Sequence, residues 1–264
     1  MTTQAAGRTM PSSSAPFRRI ADELRGQVLA GSLAPGDRLP SEHELAESYD
    51  TTRTTVRKAI ALLRSEGYVL SEQGRGVFVR KRPSVTMLLT GANYRKHRSS
   101  GTSNFNAEAL SQGMRAEQRI LRVAEVGAPH EIAERLDVPE DTPVIVRRRL
   151  FLIDGEPMQL CNGYYPAELF RSTPISQPEK IRGGVHSIFE DPHGPIASKV
   201  TRFVEDVQVR LPSPSETEAL VIAEGVPIAR VLRTAIDKLG RRLEVLDSTL
   251  PSDRYTFRYV IDLP

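Results

Sequence analysis

The sequence contains a single cysteine, Cys161, and no tryptophan. A lone thiol excludes an internal disulfide and any thiolate cluster for zinc. Its five histidines (His43, His97, His130, His186, His193) include no pair at a metal-site spacing such as H-E-x-x-H. His186 and His193 come closest, but Pro192 breaks a shared helix, and both read as loop histidines. No metal and no cofactor is expected. Apolar runs fall short of the roughly 18 residues a membrane helix needs, and Met1–Pro16 lacks the apolar stretch of a signal peptide. A cytoplasmic protein with no membrane partner is expected. Catalytic signatures are equally scarce: no Ser-His-Asp order and no isolated carboxylate pair stands out, and there is no internal repeat.

What is present suits two domains. The chain has 264 residues, 39% of them hydrophobic, enough for two modest cores. Its net charge of +3 hides an asymmetry. Residues 1–103 carry 16 Lys and Arg against 9 Asp and Glu, and residues 104–264 carry 20 against 24. A basic N-terminal third on an acidic remainder is what a nucleic-acid contact confined to one end would produce.

Phe17 to Ala30 reads as a helix, with Ile20, Leu24 and Val28 at i, i+4, i+8 and support from Ala21 and Leu29. Ser41-Glu42-His43-Glu44 is a capping box that opens a short helix burying Leu45, Ala46 and Tyr49. Thr52 is the expected N-cap of the next helix, which runs to about Ser65. Val56, Ala59, Ile60 and Leu63 form its apolar stripe, and Arg53, Thr54, Arg57, Lys58 and Ala61 occupy the opposite face. Taken alone, this helix fits an exposed amphipathic helix as well as one lying in a major groove. Tyr68-Val69-Leu70 and Val77-Phe78-Val79 are short strands with Gly74-Arg75-Gly76 at the tip between them. Because that triplet precedes a strand and not a helix, it is no phosphate-cradling loop. A glycine-flanked arginine on a narrow hairpin suits a minor groove, where the potential favours guanidinium. Three helices and such a hairpin make a winged helix-turn-helix.

The segments Phe17-Arg18-Arg19-Ile20-Ala21, Leu39-Pro40-Ser41-Glu42-His43-Glu44-Leu45-Ala46, Arg53-Thr54-Thr55-Val56-Arg57-Lys58-Ala59, Glu66-Gly67 and Gln73-Gly74-Arg75-Gly76-Val77-Phe78-Val79 resemble the GntR family of regulators. The resemblance implies contact with double-stranded operator DNA by Arg38, His43, Thr52, Arg53, Thr54, Thr55, Arg57, Gln73, Gly74 and Arg75. At His43 many relatives carry a longer polar or basic residue.

Residues 81–102 read as a basic linker, with a strand at Thr86–Leu89. Beyond it come long candidate strands at 119–126, 144–153, 158–165, 197–210, 228–237, 243–249 and 255–261. A second capping box, Ser213-Pro214-Ser215-Glu216, opens a helix to about Ala223. The expected fold class is α+β: a flexible tail (1–16), a winged helix-turn-helix (17–80), the linker, and a mainly antiparallel-sheet domain (103–264) for effector binding and dimerisation.

Residues 103–264 are similar to the effector (UTRA) domain of the HutC subfamily, which shares the fold of chorismate lyase. The segments that carry this are Ser103-Asn104-Phe105-Asn106, Arg149 through Pro157, Tyr164-Tyr165-Pro166, and Glu244 through Phe257. The resemblance implies a small-molecule pocket over the sheet. The Ser103–Asn106 loop would supply amides and a hydroxyl to an anionic group, Arg149 the paired cation, and Glu244 an acceptor for the far end. Phe151 stands where sugar-phosphate sensors place a second arginine, Cys161 where a glutamate is common and Leu250 where a tyrosine is. A relatively apolar anion is the expected effector. Alternating side chains put Arg148 and Arg149 on opposite faces, so any arginine of 147–149 can equally be a surface charge. Asp154-Gly155 and Asp253-Arg254 read as turns or structural pairs.

The implied function is a homodimeric regulator, most simply a repressor released from its operator by an effector. The alternatives are a ligand-independent DNA-binding protein whose pocket has fallen out of use, and a lyase-type enzyme. The second rests on fold alone, and fold does not carry function.

Overall fold

The computed structural model describes residues 15–80, 87–89 and 104–258. The chain divides into two compact units, Met1–Arg82 with Ala223–Gly225, and Pro83–Ile222 with Val226–Pro264. Among the described residues no helix is long and apolar enough to cross a membrane, and no group of His, Cys, Asp and Glu could hold a metal ion.

The first unit holds α1 (Pro16–Ala30), α2 (Glu42–Ser48), α3 (Arg53–Ser65), β1 (Val69–Glu72) and β2 (Gly76–Val79). Ile20, Ala21 and Leu24 of α1 pack with Leu45 and Ala46 of α2 and with the buried stripe of α3. Both predicted caps form. The Ser41 hydroxyl accepts the Glu44 amide while the Glu44 carboxylate reaches back, and the Thr52 hydroxyl accepts the Thr55 amide. One expectation fails: Leu29 is 63% exposed. At 100° per residue it lies about 180° from the buried Ile20, on the side of α1 turned away from the core. β1 and β2 pair as an antiparallel hairpin, Val69 opposite Val79, and Arg38 adds a bridge to Phe78.

In the second unit, a six-stranded antiparallel sheet has the order β4-β5-β6-β9-β8-β7, formed by β4 (Ala116–Gly127), β5 (Pro143–Ile153), β6 (Glu156–Pro166), β7 (Val200–Arg210), β8 (Ile228–Asp237) and β9 (Arg242–Pro251). β3 (Met87–Leu89) lies parallel to β10 (Tyr255–Phe257). The expected strands are therefore present with ends moved by up to three residues, except that 197–199 precede β7; Thr86 and 259–261 lie outside the described residues. Asp154 and Gly155, both at positive φ, make the β5–β6 turn.

The two faces of the sheet differ. One is covered by α5 (His130–Leu136), where Ile132, Ala133 and Leu136 pack on Val144, Leu232 and Val245. The opposite face carries two apolar clusters. Phe105 and Ala109 of α4 (Asn104–Ser111) meet Ile153, Leu250 and Tyr255 at one end. Phe170 of α6 (Ala167–Phe170) and Phe189 of α7 (His186–Glu190) meet Ile145 and Tyr165 at the other. Polar side chains occupy the strip between.

The predicted box at Ser213 caps α8 (Pro214–Leu220). Its Glu216 also accepts from Arg210 (2.7 Å) and from the Thr249 hydroxyl (3.0 Å). The Arg210 hydrogen bond, helped by the Ser213 and Thr249 donors and opposed by burial, lowers its pKa from 4.5 to about 2. A folded-state pKa below the unfolded one contributes stability that is complete above pH 4.5 and disappears as pH falls toward 2. In thermal melts between pH 6 and 2.5, Glu216→Gln should lose about 2 kcal/mol at the upper end and about a quarter of that at the lower. A loss equal at both ends would show that the carboxylate charge contributes nothing.

Candidate DNA interface and effector site

The DNA-contact residues expected from the sequence fall into two groups on the first unit. Arg53, Thr54, Arg57 and Lys58 are all exposed on the face of α3 turned from its apolar stripe. Thr52 caps the start of that helix, its hydroxyl oxygen 3.1 Å from that of Thr55 in the first turn. An N-terminus with exposed cations and donors is a fit receptor for phosphate and base edges. Arg57 is held by Glu42 at 2.7 Å, and His43 lies 3.3 Å from Glu47. On the hairpin, Gln73, Gly74 and Arg75 are exposed, with Gly74 at φ +73°. Arg75 pairs with Glu72 and lies 5.6 Å from the centre of the Phe78 ring. Gly76, at φ +121°, has no room for a side chain: a Cβ there would stand 2.8 Å from the Arg38 guanidinium. Arg38 therefore lies along the base of the wing. Every one of these cations is exposed and either open or in an exposed ion pair, which exchanges readily because such pairs contribute little.

The effector-site residues expected from the sequence behave differently. Ser103 lies outside the described residues, and of Asn104 only the backbone is described. The 104–106 segment is not a loop as expected, but the first turn of α4. The apolar positions that follow, Ala109 above all, need a helix to reach the core. Phe105 rests against Phe151, with ring centres 5.0 Å apart, and Asn106 is exposed.

On the sheet, Arg149, Cys161 and Ser248 stand side by side on β5, β6 and β9. The Arg149 guanidinium is 3.4 Å from the Cys161 sulfur and 5.6 Å from the centre of the Phe151 ring. Ser248 donates to the same sulfur at 3.5 Å and accepts from Gln159 at 3.0 Å. Arg149 Nε is buried without a hydrogen-bond acceptor. Leu250, two residues beyond Ser248, is wholly buried in the apolar cluster with Ile153 and Tyr255. Four residues the other way on the same strand face, the buried Glu244 accepts a 2.7 Å hydrogen bond from the Tyr165 hydroxyl, and its second oxygen lies 3.4 Å from His186.

The electrostatics follow from burial. Burial pushes against the charge on Glu244, but His186, the Tyr165 hydroxyl and Arg149 outweigh it and keep the carboxylate ionised. Burial and the Glu244 charge drive Tyr165 well above its ordinary value, so it remains a donor. Burial also opposes the Arg149 charge, and Cys161, Tyr165 and Glu244 override it. A fixed cation and a fixed anion thus share one strip of sheet. Such a site can hold an anionic group at one end and a hydrogen-bond donor at the other.

Three residues escaped the sequence reading. His186 sits in α7 and reaches Glu244, not in a loop; its Pro-bounded context hid the helix. Tyr165 belongs to the Tyr164-Tyr165-Pro166 segment, but only the cross-strand register brings its hydroxyl to Glu244. Arg147, which alternation places on the same face as Arg149, is fully buried and donates to the carbonyls of Pro174, Ile175, Gln177 and Glu179. It ties down a loop and is no surface charge. Arg254 similarly donates to the carbonyls of Leu220 (2.8 Å) and Val221 (3.0 Å), the structural role expected of it.

Gly163 lies on β6 between Cys161 and Tyr165, and a Cβ there would overlap the Tyr165 hydroxyl and stand 2.9 Å from its ring. Gly163→Ala should therefore displace Tyr165 from Glu244 and cost about 1–3 kcal/mol in a thermal melt, as overpacking does. An unaltered melt would show that the ring has room to move.

Comparison with known proteins gives the family of each unit. The family model for the bacterial regulatory proteins of the gntR family matches residues 16–79, and that for the UTRA domain matches residues 111–256. The HTH-type transcriptional repressor NagR of Bacillus subtilis is 26% identical over 246 residues, 93% of this chain and 94% of NagR. An HTH-type transcriptional regulator of Streptomyces coelicolor is 26% identical over 254 residues, 94% of this chain and 93% of its own. Among solved structures, one assigned to a GntR-family transcriptional regulator superposes with a TM-score of 0.68 at 28% identity, covering 95% of this chain and 98% of that one. PhnF of Mycobacterium smegmatis shares the fold, with a TM-score of 0.56 at 23% identity over 93% of this chain and 100% of its own. With a GntR helix-turn-helix joined to a UTRA domain, this chain belongs to the GntR family of bacterial regulatory proteins and is a DNA-binding transcriptional regulator with an effector domain.

Proposed function

We propose that the protein is a cytoplasmic, homodimeric repressor of the HutC type, released from its operator by a small anionic effector, and that it catalyses no reaction. The observation that carries this reading is a half-buried cation, Arg149, and a buried anion, Glu244, on one sheet face. Arg149 has a buried, unsatisfied Nε, and Glu244 lies on the neighbouring stretch of the same face. Charges of both signs that neighbouring groups hold ionised against burial are characteristic of functional sites. Phe151, with Phe105 against it, borders the cationic end, which favours an anion with an apolar body over a sugar phosphate. In this reading residues 17–80 bind DNA, 81–102 link, and 103–264 sense and dimerise. Two copies are needed because one winged helix covers one half-site.

The test is a screen of small carboxylates and phosphates for release of the full-length protein from its own promoter DNA, read by fluorescence anisotropy. Release by an apolar monoanion supports the reading. Operator binding that no compound alters, with no ligand-induced rise in Tm, favours the ligand-independent regulator, and turnover of a compound favours the enzyme.

A further inference from the structure

The six-stranded sheet has two outer strands, β4 and β7, and they are finished differently. β4 is interrupted by a bulge between Ile120 and Arg122 and exposes one large apolar side chain, Leu121. β7 runs in unbroken register with β8 from Arg202 to Arg210, and no strand among the described residues pairs with its outer edge. Val204, Val207, Val209 and the following Leu211 are 44, 41, 71 and 70% exposed. A long, regular, apolar strand edge presents unpaired amides and carbonyls and is a template for another strand unless something covers it.

The charges on β7 indicate what covers it. In a two-fold, antiparallel pairing of β7 with its own copy, opposed residues share a face, so the pairing is centred on one residue. Centring on Asp206 would set that carboxylate against itself and Arg202 against Arg210. Centring on Gln208 sets Asp206 opposite Arg210 twice and Val207 opposite Val209 twice, with Leu211 facing Glu205 through its aliphatic part. Opposite charges and β-branched pairs directly across strands are stabilising, and like charges are not. Asp206 and Arg210 are already oriented by Arg135 (2.6 Å) and Glu216 (2.7 Å), and each remains partly exposed, 53% and 41%, and so open to a second partner.

We infer that β7 is the subunit edge: two copies join β7 to β7 about Gln208 and merge their sheets into one of twelve strands. This deepens the homodimer reading above and rests on it. It has a consequence for signalling, because the pocket strip reaches β8 and β7 through Ser248, Val231 and Val207 in register. Ligand-driven changes in the strip would be felt at the joint between subunits.

Full-length protein would be tested by sedimentation velocity and by cross-linking. Gln208→Cys, which lies across the two-fold axis from itself, should form a disulfide-linked dimer under mild oxidation, since either type of antiparallel pair brings Cα atoms within bonding range. Leu121→Cys on the opposite edge should not, and the buried native Cys161 serves as the unreactive background. Val207→Lys with Val209→Lys should raise the dimer dissociation constant about 100-fold or more while leaving the circular dichroism unchanged. A wild-type dimer that resists cross-linking at Gln208→Cys, or a lysine variant that stays dimeric, would overturn the β7 assignment and leave the dimer itself standing. Wild-type protein that is monomeric while fully bound to operator would overturn both. If the lysine variant fails to fold, the cross-link decides.

Discussion

Arg53→Ala and Arg57→Ala should each weaken operator binding by about 1–3 kcal/mol, a factor of about 5 to 150, and the double variant should come close to non-specific affinity. Both side chains project from the first two turns of α3 on the face that packing leaves free, and the core stripe behind them keeps that face in place. Their removal therefore costs contact with DNA and not fold stability. Arg57 must first leave Glu42, but an exposed pair is worth only about 0–1 kcal/mol, small beside a bidentate contact with guanine. The salt dependence of binding separates the two roles. A variant that has lost a base contact keeps the wild-type slope and loses discrimination, whereas one that has lost a phosphate contact flattens the slope by about 0.9. Arg75→Ala should weaken binding most at A·T-rich positions, since the wing arginine senses groove width. The assigned face is wrong if all three variants bind promoter DNA like the wild type in anisotropy titrations.

Arg149→Ala should leave operator affinity unchanged and weaken the effector about 10- to 150-fold, the value of a buried hydrogen bond to a charged group. The resulting protein would stay on its operator at effector levels that release the wild type. Release by tenfold requires about 1.4 kcal/mol of differential affinity between the bound and released arrangements, and that difference is lost with the cation. Arg149→Lys should recover only part of the response, because an ammonium lacks the planar fork that Phe151 and Cys161 hold in place. Glu244→Gln keeps the shape of the far end and removes its charge, so it should impair effectors that bring a donor there and spare those that do not. An Arg149→Ala protein released at the original effector concentration would place the pocket elsewhere.

The sequence by itself determined the local order of this protein. Periodicity in Val56, Ala59, Ile60 and Leu63 specified which side of α3 is core and so which side carries Arg53 and Arg57. The hydroxyls of Ser41, Thr52 and Ser213 marked the helix starts, because capping is satisfied within four residues. Alternation placed Arg149 and Arg148 on opposite faces of β5. Each of these depends on near neighbours and is readable without a fold. Tertiary structure alone decided what meets across strands. The register of β5, β6 and β9 put Arg149 beside Cys161 and Ser248 and Tyr165 beside Glu244, 79 positions apart, and the packing of α7 brought His186 to Glu244 over 58 positions. It turned Arg147 into a buried clamp on the 174–179 segment while Arg149, two residues along, stayed beside Cys161. It also left β7 as an uncovered edge, since which strand ends a sheet is a property of strand order. Such contacts are chosen by which packing buries the most apolar surface with every polar group satisfied, a condition on the whole domain that no local window contains.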